Sequence, residues 1–152
     1  PTLTATSSVH VVTAFSNAIP EMAAYVPKSK SDIVGYYKNQ SGVDGSEALY
    51  FFSDDSYLRI SYYSFMPLRI DDMGHWKLTN GLIHLNQEKV YGTNAFWWTA
   101  DRVIIPVMWK KDLMMLGSHW GFSLVTAVLN DYTDMSLLVC GYKLEERYDV
   151  NH

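Results

Sequence analysis

The chain has 152 residues, enough for a single domain whose core needs neither disulfides nor metals. Apolar residues make up 48% and charged residues 18%, which excludes a disordered or solvating chain. The net charge is −4 and no basic patch is visible, which excludes an ordinary nucleic-acid binder. Aromatic residues are abundant, at 5 Trp, 11 Tyr and 6 Phe. Cys140 is the only cysteine, so neither an intramolecular disulfide nor a multi-cysteine zinc site can form. Within the apolar run 136–140 it reads as a small buried hydrophobe. No stretch approaches the ~18–20 apolar residues of a membrane span, and no basic segment followed by an apolar one opens the chain. A soluble protein is expected, either cytoplasmic or exported with its signal removed.

The small polar start, Pro1 to Ser8, reads as frayed, which argues against a catalytic N-terminal proline. Residues 9–26 carry Val12, Phe15, Ile19, Met22 and Ala23 at helical spacing, with Pro20 opening a second short helix. Lys28 to Asp32 reads as a polar linker. From residue 33 the pattern changes to short strands, and 33–144 is expected to form the body of the domain. Ile33–Tyr37 is the first strand, and 39–45 is a loop rich in turn formers. Glu47–Phe52 is the second strand, followed by the turn 53–56. Tyr57–Met66 is the third, with Leu58, Ile60 and Tyr62 on one face and Tyr57, Arg59, Ser61 and Tyr63 on the other. Asp71-Asp72 falls in a turn, and Gly74–Leu78 is the fourth strand. Asn80-Gly81 supplies the positive φ angles of a type I′ turn into the strand Leu82–Leu85.

Further strands are expected at 95–99, 102–109 and 112–116. Ser118 caps a short amphipathic helix near 118–129, with Trp120, Leu124, Val125 and Val128 on its apolar side. Residues 136–144 read as the last strand and 145–152 as a frayed charged tail. Short strands at near-regular spacing indicate a mainly β domain, an antiparallel barrel or sandwich.

Several motifs in order carry a resemblance. Gly35-Tyr-Tyr37 opens a strand. An aromatic strand and an acidic turn follow, Phe51-Phe-Ser-Asp-Asp-Ser-Tyr57. Then come Gly74-His-Trp76 and the hairpin into Ile83-His-Leu85. Together with Val107–Leu113, these resemble small lipocalin-like β-barrel proteins, mostly uncharacterised bacterial ones, over about half the chain. The acidic turn here lacks the glycine often found in that pattern. The resemblance implies an antiparallel up-and-down β-barrel and says little about activity.

The Asn80-Gly81 hairpin fixes a register in which Thr79 pairs with Leu82. Trp76 then sits with Leu85, and Leu78 with Ile83, on a buried face. His75, Lys77, His84 and Asn86 share the other face, which is either solvent or a polar lumen. His75 and His84 lie at diagonal spacing, but no third metal ligand is near, so no metal or cofactor is expected. Asp54-Asp55 and Asp71-Asp72 are paired acids. Neighbours in a turn point apart into water, so neither pair is expected to form an acid–base couple. Gly117-Ser118-His119 places a serine beside a histidine, and adjacency alone does not make a catalytic triad. No nucleophile elbow, phosphate loop or dinucleotide fingerprint is present.

The aromatic rings are the strongest functional hint, as candidates for lining a cavity. The candidate ligand-binding residues are Tyr62, Tyr63, Phe96, Trp97, Trp98, Trp109, His75, His84 and Arg59. Phe96-Trp97-Trp98 must point in two directions if it is a strand. Three readings follow: a non-catalytic barrel binding a small apolar or aromatic molecule or a protein partner; an interaction module such as a toxin-immunity or inhibitor protein; and an enzyme with its site inside the barrel. A lined cavity favours the first or third, a filled barrel with an exposed aromatic face the second. Polar groups converging inside separate the third from the first.

Overall fold

The structure, a computed structural model, describes residues 22–42, 45–63, 66–91, 102–117 and 141–147. These form strands β1 (Met22–Ala24), β2 (Gly35–Gly42), β3 (Gly45–Phe51), β4 (Ser56–Tyr63), β5 (Met66–Thr79), β6 (Leu82–Val90), β7 (Val103–Trp109), β8 (Asp112–Gly117) and β9 (Gly141–Glu146). A single 3₁₀ turn, Lys30–Asp32, precedes β2. Each strand from β2 onward pairs antiparallel with the next, and β9 pairs back onto β2. The fold is therefore a closed eight-stranded up-and-down barrel, which leaves the barrel itself no open edge. β1 is an extra strand, paired with the end of β7 at Val107, Met108 and Trp109.

Several expectations change. The run 39–45 is mostly strand, since β2 continues to Gly42 and β3 begins at Gly45, and Met66 opens β5 and does not end the third strand. Residues 22–24 form a strand and not the end of a helix, because pairing with β7 overrides the helical spacing of the apolar residues. Residues 66–79 form one long strand, so Asp71-Asp72 lies in a ladder and not in a turn. The expected tail is ordered at its start: β9 runs to Glu146, and Arg147 Nη1 donates to the Asp32 carbonyl across 2.8 Å. The expected segments 9–21, 95–99, 118–129 and 136–140 lie outside the described residues.

The β5–β6 hairpin has the expected register. Thr79 pairs with Leu82, Trp76 with Leu85 and His75 with Asn86, and both Asn80 and Gly81 have positive φ. Its inward face carries Trp76, Ile83 and Leu85, all buried in the main core with half-buried Leu78 beside them. The β3–β4, β5–β6 and β7–β8 turns share one end of the barrel with the start of β2. Ile33 and Val34 seal that end by joining Phe51, Tyr57 and Trp76 in the core. Trp76 Nε1 donates to the Phe52 carbonyl across 3.1 Å, so the indole is buried without an unmet donor. Tyr37 OH donates to the Ile33 carbonyl across 2.6 Å and ties β2 to the segment that covers it.

Gly74 has a steric role. The β5–β6 register shifts between Met73 and Gly74, and a Cβ on Gly74 would lie 1.9 Å from the Asn86 carbonyl oxygen. Backbone cannot yield that distance without moving the ladder. Gly74→Ala is therefore expected to lower stability in urea titrations by about 1–3 kcal/mol. Thr79→Ala, on the exposed outer face, should change it by less than about 0.5 kcal/mol. Equal midpoints for the two variants would show that the bulge tolerates a side chain.

Candidate functional site

β4 faces the reverse way from what its apolar residues suggest. Tyr57, Arg59 and Ser61 are all 1% exposed and line the interior, whereas Leu58 and Ile60 sit half-buried on the outer face. Opposite, β5 changes phase. Arg59 pairs with Asp72 and Ile60 with Ile70, so Asp71 is the extra residue of a β-bulge. A strand normally alternates its side chains. The bulge lets two successive aspartates turn inward, and both are buried. It also keeps Arg69 on the inner side of β5 while Trp76 remains in the core.

The inner residues meet as a bonded set. Arg59 Nε lies 2.6 Å from Asp72 Oδ1 and Nη2 lies 2.7 Å from Asp72 Oδ2, a two-pronged ion pair. Tyr57 OH donates to Asp72 Oδ2 across 2.7 Å, and Gln87 Nε2 donates to the same oxygen across 3.1 Å. Burial opposes the guanidinium charge. The hydrogen bonds and charge of Asp72 outweigh it, and the Arg59 pKa is raised. Burial raises the Tyr57 pKa, and Asp72 raises it further, so the phenol remains a neutral donor. Ser61 donates to Asp71, and Arg69 Nε approaches Asp71 Oδ1 at 3.3 Å.

Glu47 on β3 completes the set. It is 5% exposed and receives the Tyr142 hydroxyl from β9 across 3.4 Å. Burial, and then the charge of Asp71, push its carboxyl up to about 7; the Tyr142 bond and Arg59 oppose this only in part. The inner wall thus offers one carboxyl that exchanges its proton near neutrality, beside a fixed ion pair and two phenols.

The candidate residues divide. Arg59 belongs to the inner set. His75 and His84 are exposed on the outer face, and His75 pairs there with Glu88 and not with His84. Trp109 is buried with the parity of Val107, opposite to Met108 of the barrel core, and Lys110 Nζ stands 4.5 Å from its ring centroid. Tyr62 and Tyr63 lie at the end of β4, paired with Ser46 and Gly45. Phe96, Trp97 and Trp98 lie outside the described residues. Tyr36, Tyr50 and Phe52 stack outside the barrel, with centroids 4.8 and 5.9 Å apart. Asp54 stays in the β3–β4 turn, its pKa lowered by hydrogen bonds from Ser56.

Glu47, Ser61, Gln87 and Tyr142 carry no sequence signal of a site, and Asp71-Asp72, which reads as a turn pair pointing into water, is enclosed. The alternation of Tyr57, Arg59 and Ser61 was the available signal, and an arginine on that face reads as solvent-facing until a buried carboxylate is found for it. Among the described residues, no group of three or more His, Cys, Asp or Glu is arranged to hold a metal ion. Among them, too, no helix is long and apolar enough to cross a membrane. No family model, curated protein or solved structure matches the chain.

Breaking the ion pair isolates a buried carboxylate. Arg59→Met is expected to cost about 3–5 kcal/mol, and the double variant Arg59→Met/Asp72→Leu to recover most of it. Equal destabilisation of the single and double variants in denaturant titrations would count against this. Glu47 also sets a pH dependence. Its folded pKa, about 7, exceeds the usual 4.5, so its contribution is full below pH 4.5 and is lost as the pH rises through about 7. The loss is on the order of 3 kcal/mol. Glu47→Gln should flatten the stability profile between pH 5 and 8 and exceed the native chain in stability at pH 8. An unchanged slope would place Glu47 in water.

Proposed function

We propose that this chain works as a lipocalin-like barrel: it is non-catalytic and binds a small, largely apolar or aromatic molecule carrying a polar group. The observation that carries the reading is the placement of Glu47, Arg59, Ser61, Asp71 and Asp72 on the inner wall, all buried, away from the sealed end. Buried polar groups are costly unless matched, and they concentrate where a ligand must be recognised. The apolar seal of Ile33, Val34, Phe51 and Trp76 closes one end. A ligand would meet the polar wall away from that seal.

Catalysis inside the barrel is the second reading, and polar convergence with a carboxyl near neutrality favours it. Two features place it behind binding. Both histidines among the described residues, His75 and His84, stand outside, and Arg59, Tyr57 and Asp72 are committed to one another. Partner binding draws on the outer aromatic stack and on Leu68 and Ile70, exposed on β5.

The test is a panel of small amphipathic molecules read by thermal unfolding and by tryptophan fluorescence. A ligand at a hundred times its Kd should stabilise the chain by about 2.7 kcal/mol. Ser61→Ala or Glu47→Gln should change that response, and Ile60→Ser on the outer face should leave it intact. A response lost with Ile60→Ser and kept in the inner-wall variants would move binding to the outside. Turnover of a bound molecule, absent in Glu47→Gln, would favour the enzyme.

A further inference from the structure

Glu47 is the inner carboxyl with the least bonding. Asp72 accepts from Arg59, Tyr57 and Gln87, and Asp71 accepts from Ser61 and Arg69. Glu47 has a single long bond, from Tyr142 to Oε2 at 3.4 Å. Its Oε1 has no partner among the described residues, although the residue is only 5% exposed. A carboxyl oxygen buried without a donor is the kind of acceptor a ligand completes.

The surrounding charges say what kind of donor fits. Ser61 and Arg59 on β4, Asp71 on β5 and Tyr142 on β9 are the groups nearest to Glu47 in register, bonding or charge. Ser61, the register partner of Glu47, donates to Asp71, so an ionised Glu47 stands close to a second carboxylate. A cation docking there relieves that repulsion, and an anion adds to it.

We propose that the molecule bound on the inner wall carries a primary ammonium group, and that Glu47 Oε1 is its anchor. This rests on the ligand-binding reading above. In the binding step the ammonium docks, the Glu47 carboxyl loses its proton to solvent, and an ammonium–carboxylate pair replaces a neutral acid. Charge is conserved, with one proton released for each protonated Glu47 that binds.

The experiment uses the full chain and three matched probes: 2-phenylethylamine, 2-phenylethanol and 3-phenylpropionate. Calorimetry gives affinities from pH 6 to 8, and amide chemical shifts report which residues each probe touches. The amine should bind about 10–100-fold more tightly than the alcohol at pH 8, the range for a charge-assisted hydrogen bond. That preference should shrink as the pH falls through about 7, because the amine then competes with a proton. At pH 6 the heat should vary with buffer and report proton release. Glu47→Gln should erase the amine preference and its pH dependence, and Ile60→Ser on the outer face should keep both. Should that variant not fold, the buffer-dependent heat of the native chain decides alone.

Equal affinities for amine and alcohol, a preference for the propionate, or an amine preference surviving in Glu47→Gln would each overturn the anchor. Alcohol binding that shifts inner-wall amides would leave the ligand-binding reading standing in those cases. No inner-wall shift with any probe would overturn both.

Discussion

The Arg59–Asp72 ion pair is the constraint on which the rest of the interior depends. Both partners are fully enclosed, with side chains 1% and 0% exposed. An enclosed guanidinium needs a carboxylate in one particular place, and the β4–β5 register supplies it by pairing the two residues directly. That fixes the inward face of β4. Leu58 and Ile60 must then face outward, whatever their hydrophobicity. The bulge at Asp71 follows the same logic. Without it, either Asp72 or the Arg69–Asp71 pair would turn away from the interior.

The interior therefore has two regions of different character. Toward the sealed end, Phe51 packs edge-on to both Tyr37 and Trp76, with centroids 5.8 and 5.3 Å away, and contributes packing and rigidity. Beyond Tyr57 the wall becomes charged. Tyr57 joins the two regions, with its ring in the core cluster and its hydroxyl on Asp72. A protonated phenol suits that position, because a phenolate beside Asp72 would repel it.

The sequence made the parts of the fold that depend on local geometry readable. Asn80-Gly81 specifies a turn, the turn specifies a register, and the register places Trp76 inside and His75 outside. The β7–β8 turn gives no such signal: Lys110 and Lys111 both adopt positive φ, which lysine does not favour. Pairing of the two flanking strands imposes that turn. The inner polar wall was hidden for a related reason. Alternation gives two faces of β4 but not which one is enclosed, and hydrophobicity points to the wrong one. Asp71-Asp72 has the composition of a turn, and only the long-range pairing of β5 with β4 and β6 places it in a strand.

Stability alone gives no reason to keep this wall polar. A well-packed apolar pair in place of a buried ion pair is commonly neutral or stabilising. Glu47 goes further, because burial disfavours its ionised form and one of its oxygens has no donor among the described residues. These costs fall together, on adjacent strands, on one stretch of the inner wall. A barrel selected only to fold would place Leu or Val at these positions, as β7 and β8 do at Ile104, Leu113 and Met115. The proposed recognition role rests on the contrast, within one closed barrel, between the apolar wall of β7–β8 and the charged wall of β3–β5.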